Sequence, residues 1–257
     1  MEAPRDDLVR ALTHGVEIRA DDTGGPGVLE GHFCVTGQWT RIQSWYEGDF
    51  YERIAAGAAA KTITEHFAAA QPKVKCLFDH GYDPQIGNKV LGPFEELAED
   101  DVGVRYVVPL LETSYCRDLA PGLLAGLYGA SFRFRVIQDA WNDAPGVSDH
   151  NPEGLPERTI TEFALYEGGP VTFPAYEGAT AGMRSLTDIF VERRLAGRPD
   201  DLAALRSERG LQPATAPAAG DPVTPEGADN SAPEPPEHSV RTTRPEALLR
   251  LDSLRRY

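Results

Sequence analysis

Leu127-Tyr128-Gly129-Ala130-Ser131-Phe132-Arg133-Phe134 sets one serine among small residues and then alternates aromatic with basic side chains. Alternation with a period of two is the signature of a β-strand, in which successive side chains point to opposite faces. Ser131, Arg133 and Arg135 then share one face, and Phe132, Phe134 and Val136 share the other. With the phenylalanines in a core, the serine stands on the open face with two cations beyond it. Gly129 and Ala130 leave room for a neighbouring backbone. A nucleophilic serine needs these conditions, but most serines on strands are simply solvated polar positions, so the segment alone carries no catalytic claim. A base and an orienting group elsewhere in the chain must decide between them.

The remaining strand signals surround this one. Gly31–Val35, Val74–Phe78, Thr159–Tyr166 and Val171–Phe173 read as strands, and Val90–Leu97 with Val104–Leu111 reads as a hairpin across Ala98–Gly103. Ala55–Ala70 and Ser114–Leu127 read as helices, with Pro121-Gly122 expected to kink or divide the second. Asp7–Leu12 reads as a short helical piece in a lead-in, and 138–158 as a polar loop. Beyond Ser185, Thr187–Ala196 and Pro199–Arg209 are charged and helix-compatible. Residues 210–245 carry eight prolines in 36 positions. They hold too little apolar area to offset ordering entropy, which predicts a flexible, disordered tail. Leu248, Leu251 and Leu254 at helical spacing suggest a short terminal helix that orders against a partner.

The net charge of −15 over 257 residues excludes a phosphate-neutralising surface, and with it nucleic acid or an anionic membrane as partner. The acidity lies mainly before Ser185, where 28 acidic side chains face 15 basic ones. No apolar run reaches the length of a membrane span, and the N-terminus lacks the pattern of a signal peptide. Three widely spaced cysteines, Cys34, Cys76 and Cys116, suit a reducing compartment. The chain reads as soluble and intracellular.

His80 is the leading base for Ser131. It sits where a short strand runs into a loop with Pro84 and Gly87, the usual seat of functional side chains on a rigid scaffold. A neutral imidazole is the ordinary acceptor of a serine proton near pH 7. Taken singly, His80 reads better as a turn histidine bonded to nearby backbone. Glu162 and Glu167 are both available as the acid, on opposite faces of a regular strand; their plain alternatives are a solvated strand residue and an acidic turn beside Gly168-Gly169. Cys76 with His80, and His32 with Cys34, have loose metal-ligand spacing, but no Cys-x-x-Cys pair occurs. Cys76 and Cys116 are the thiol alternatives to the serine. Arg133 and Arg135 read as an ordinary basic strand face, with Arg133 a weaker candidate for oxyanion binding.

Together these segments resemble the prohead (capsid maturation) proteases of tailed bacteriophages. The resemblance rests on Phe78-Asp79-His80 followed by Ile86-Gly87 and Leu91-Gly92, on Gly129–Phe132, and on Val171-Thr172-Phe173-Pro174-Ala175, in that order, across about Gly31–Ser185. It implies an α+β fold, a mostly antiparallel β-barrel ringed by helices and similar to the herpesvirus assembly proteases. It also implies a serine endopeptidase with Ser131 as nucleophile, His80 as base and Glu167 as acid, Glu162 being the runner-up. Gly168-Gly169-Pro170 departs from the bulkier residues usual in the family. The implied substrate is the scaffolding segment of the major capsid protein, together with the protease itself, inside the prohead in the host cytoplasm. Self-association is expected, and no cofactor or metal is implied. The expected divisions are an N-terminal extension (1–27), the protease domain (28–185), a helical segment (186–209), a Pro-rich linker (210–244) and a short amphipathic helix (245–257). A non-catalytic capsid scaffold or assembly protein is the alternative.

Overall fold

The computed structural model describes residues 3–12, 16–19, 24–172 and 183–210. All of them lie in the first of two units, Met1–Ala214. The expected terminal helix and, apart from Gly210, the expected linker lie outside the described residues, as does Phe173-Pro174-Ala175.

In chain order the strands and helices are β1 (Leu8–Leu12), β2 (Glu17–Arg19), β3 (Val28–Val35), β4 (Thr40–Ser44), β5 (Gly48–Ile54), α1 (Ala60–Ala68) and β6 (Lys75–Cys76). A 3₁₀ turn (Asp79–Gly81) follows, then β7 (Glu96–Glu99), β8 (Gly103–Pro109), α2 (Ser114–Leu124), β9 (Gly129–Asn142) and β10 (Glu157–Val171). The last elements are β11 (Arg184–Ser185), α3 (Thr187–Leu195) and α4 (Pro199–Glu208). A seven-stranded sheet runs β11-β1-β9-β10-β5-β4 with β6 also on β10, and a four-stranded sheet runs β2-β3-β8-β7. Together they make a nearly closed, barrel-like body, with four α-helices among the described residues. The larger sheet is mixed, because β10 runs parallel to both β5 and β6.

The serine strand behaves as its alternation predicts on the inner side: Phe132, Phe134 and Val136 are buried, and Phe132 and Phe134 pack with Phe33 and Phe163. Its outer side differs. Ser131 is fully buried, whereas Arg133 is partly covered and Arg135 is exposed.

Four expectations about local structure are corrected. Asp7–Leu12 is not helical: Leu8–Leu12 is a strand between β9 and β11, buried at every position. Leu, Arg and Ala favour helix intrinsically, but five residues flanked by two strands gain more from the ladder. Pro121 does not divide the helix around it, which continues to Leu124. The polar loop is shorter than 138–158, since β9 persists to Asn142 and β10 starts at Glu157. The two expected strands Thr159–Tyr166 and Val171–Phe173 are one, β10, continuous through Gly168-Gly169-Pro170.

That long strand is bent by three register shifts against β9, between Ile160 and Glu162, Glu162 and Phe163, and Leu165 and Glu167. Its other edge meets β5 over Glu157–Ile160 and β6 over Glu167–Gly168. Between those stretches the edge amides still need partners. The α1 region supplies them: the Phe163 amide donates to the Ala58 carbonyl at 3.1 Å, and the Leu165 amide to Thr62 Oγ1 at 3.1 Å. The bend therefore delivers Glu167 to β6, just before the 3₁₀ turn.

A buried charge cluster lies beside the serine strand. Arg10 Nη2 donates to Glu47 at 2.7 Å and Arg10 Nε to Glu52 at 2.8 Å, all three side chains being almost wholly enclosed. Arg158 reaches Glu52 at 3.4 Å and Asp139 at 2.9 Å. These contacts keep the enclosed ions paired, the condition under which buried charge is tolerable.

Candidate active site

Ser131 lies in the middle of the sheet, opposite Ala11 of β1 on one side and Gly169 of β10 on the other. Two residues further along β9, Arg133 stands opposite Glu167. The period of two puts Ser131, Arg133, Glu167 and Gly169 on the same face, with the carboxylate displaced along the strands by roughly 6.8 Å from the serine level. One imidazole spans that gap. His80 Nε2 is 2.8 Å from Ser131 Oγ, and His80 Nδ1 is 2.6 Å from Glu167 Oε1. The His80 and Glu167 side chains are 7% and 2% exposed, so solvent screens these contacts little.

The turn that presents His80 is conformationally unusual. Asp79 and His80 both have positive φ, 45° and 56°. Non-glycine residues in this region carry a local cost, of the kind that clusters at functional sites. Several contacts hold the turn: the Gly81 amide donates to the Phe78 carbonyl at 2.9 Å, and Asp79 pairs with Arg193 of α3 at 2.8 Å. Phe190 of α3 packs edge-on against the His80 ring, with centroids 6.1 Å apart.

Ser131 Oγ has a second partner, donating to the Arg10 carbonyl at 2.9 Å. When Nδ1–H of neutral His80 donates to Glu167, Nε2 is an acceptor. The single hydroxyl proton then chooses between His80 Nε2 and the Arg10 carbonyl. Proton transfer to the ring requires the first choice.

Glu162, the alternative acid, is elsewhere: it pairs with Lys61 of α1 at 3.0 Å. The register shift between Leu165 and Glu167 sets the face on which Glu167 emerges, and no feature of the strand's composition announces it. Gly168-Gly169 also has a local explanation. A Cβ on Gly169 would lie 2.0 Å from the Leu77 carbonyl oxygen, and one on Gly168 would press the Phe33 ring at 3.1 Å. The glycines let β10 approach the segment leading to His80.

Arg133 is more than a basic strand position. Its Nε lies 3.5 Å from Glu167 Oε1, and its Nη1 donates to Asp7 Oδ1 at 2.7 Å. It lines a cleft of about 450 Å³ with His80, Tyr82, Tyr166, Phe190 and others. Its strand spacing from Ser131 was a usable sign of this. The Arg10 carbonyl left no such sign, because a backbone contact depends on where β1 pairs.

The thiol alternatives have different surroundings. Cys34, Cys76 and Cys116 are buried, and burial pushes all three thiols up. Of the residues with metal-ligand spacing, His32 Nε2 meets Asp100 at 2.8 Å. Among the described residues no three His, Cys, Asp or Glu side chains gather as a ligand set.

A carboxylate, an imidazole and a hydroxyl in series, the first and last on adjacent strands and the imidazole on the turn beside them, is the arrangement serine hydrolases use for acyl transfer. The sequence comparison narrows that class. A family model described as Caudovirus prohead serine protease matches residues 14–189, more than half of the chain, and the chain belongs to that family. It is thus a serine peptidase of bacteriophage capsid maturation. Among solved structures, the capsid assembly protease of bacteriophage T4 matches at 14% identity and a TM-score of 0.38, over 65% of this chain and 98% of that one. No curated protein matches.

Proposed function

We propose that this chain is an endopeptidase that removes the scaffolding segment of the major capsid protein, and segments of itself, inside the prohead. Ser131 is the nucleophile, His80 the general base and Glu167 the orienting acid. The observation that carries this reading is the pair of hydrogen bonds in series, 2.6 Å from Glu167 to His80 and 2.8 Å from His80 to Ser131.

Catalysis follows from that order. Ser131 Oγ attacks the scissile carbonyl as its proton passes to His80 Nε2, and Glu167 stabilises the resulting imidazolium through Nδ1–H. His80 returns the proton to the leaving amine, the C–N bond breaks, and an acyl-enzyme remains on Ser131. Water, deprotonated by His80, then releases the acid product and restores the hydroxyl. The negative oxygen of each tetrahedral intermediate needs donors, each typically worth about 3–4 kcal/mol. A strained His80 backbone and a sheet-bound serine give this machinery little freedom to misalign.

The test is coexpression with the capsid precursor, read by the mass of the assembled capsid protein. Trimming by the parent and an untrimmed but assembled shell with Ser131→Ala support the assignment. Normal trimming with Ser131→Ala would overturn it and favour a non-catalytic assembly role.

A further inference from the structure

Glu167 is a nearly enclosed carboxylate whose two oxygens have unequal surroundings. Oε1 meets His80 Nδ1 and, at 3.5 Å, Arg133 Nε; Oε2 has no hydrogen-bond partner among the described residues. Lys75, its neighbour across the β10–β6 ladder, turns away and donates to the Pro72 carbonyl at 2.6 Å. While His80 is neutral, as a base must be before attack, Arg133 is the cation that balances this buried charge.

Arg133 is itself held from three directions. Asp7, immediately before β1, takes its Nη1 at 2.7 Å, while Tyr166 of β10 and Phe190 of α3 stack near the guanidinium at 5.0 and 5.4 Å. Asp7 has a φ of 56° and also binds Arg194 of α3. Charges therefore alternate from Glu167 through Arg133 and Asp7 to Arg194. A planar guanidinium fixed in this way cannot swing off the carboxylate as a lysine would.

We propose that Arg133, braced by Asp7, is a positioning residue that balances Glu167 and fixes its Oε1 against His80, so that the segment before β1 and helix α3 belong to the working site. The proposal rests on the roles assigned above to Ser131, His80 and Glu167. It treats Arg133 as acting through Glu167, without touching substrate.

The experiment measures covalent labelling of the full-length protein by a fluorophosphonate probe, separating the maximal rate from the probe's apparent affinity. Arg133→Ala should lower the maximal rate by about a hundredfold, the scale of an ångström-level misalignment, with little change in affinity. Added ethylguanidinium should restore part of that rate through the open cleft, which a merely structural defect would not allow. Asp7→Asn should lower the rate less, and Arg133→Lys should remain well below the parent. If Arg133→Ala loses its cooperative melt, the Asp7→Asn and Arg133→Lys variants carry the same comparison. Parental labelling rates in the Arg133 variants, with Ser131→Ala unlabelled, would overturn the positioning role alone. Undiminished labelling of Ser131→Ala would instead overturn the underlying site.

Discussion

Gly169→Ala tests whether the approach of β10 to the His80 segment is as tight as the structure requires. The new Cβ would begin 2.0 Å from the Leu77 carbonyl oxygen and 3.0 Å from its carbonyl carbon. An ordinary contact starts near 3.4 Å, so one backbone must retreat by about 1.4 Å. Neither has slack. On the β6 side the Leu77 amide donates to the Gly168 carbonyl at 3.3 Å, and the Leu91 amide donates to the Cys76 carbonyl at 2.9 Å. On the β10 side Gly169 faces Ser131, two residues beyond Glu167. If β6 yields, His80 moves off Ser131; if β10 yields, Glu167 moves off His80. A displacement near 1 Å costs about a hundredfold in rate, and overpacking of this kind costs about 1–3 kcal/mol of stability. Fluorophosphonate labelling and thermal unfolding measure the two. Gly197→Ala is the control, since its Cβ would meet nothing within 4 Å, and it should change neither. Parental labelling rate and melting temperature in Gly169→Ala would refute the reasoning.

Arg10→Met should destabilise the fold by about 3–5 kcal/mol at pH 7, because Glu47 and Glu52 lose their shared buried partner. In the parent, burial pushes the Glu47 carboxyl up, but the charge and hydrogen bonds of Arg10 override it, and its pKa falls below the ordinary value. Its stabilisation is therefore present above the unfolded pKa of about 4.3 and lost as pH falls through the lower folded value. In the variant only the hydrogen bonds from Ser185 and Thr187 oppose burial, so denaturant melts should show the gap to the parent narrowing from pH 7 towards pH 5; a constant gap would contradict this account. Alkylation of the native protein with iodoacetamide should leave serine labelling unchanged, because the three thiols are buried and held protonated. Rapid modification accompanied by loss of labelling would implicate a cysteine.

Local pattern and tertiary context divided the structure unevenly. The alternation in Ser131–Val136 was enough to assign the core face of β9, since apolar burial follows a period of two whatever the neighbours are. The helices α3 and α4 were legible from helix-compatible composition, whereas the hairpin of β7 and β8 is present but displaced, its first strand being Glu96–Glu99 and not Val90–Leu97. Leu8–Leu12 was misleading because its residues suit a helix, and its conformation is decided by two partner strands far along the chain.

The candidate site divides in the same way. The sequence by itself determined the residue types that acyl transfer needs, and its resemblance to a known family implied His80, Ser131 and Glu167 as candidates, with Glu162 left open. It also determined which face of β9 is apolar. Only the tertiary structure decided that Glu167, and not Glu162, reaches His80, because that choice depends on register shifts and on the partners that α1 and β6 offer β10. Only the tertiary structure brought the Arg10 carbonyl to Ser131, and Asp7 and Arg133 to the same cluster. Periodicity is a property of adjacent residues and can be read along the chain. Hydrogen-bond distance between residues 51, 87 or 126 positions apart is a property of the assembled sheet.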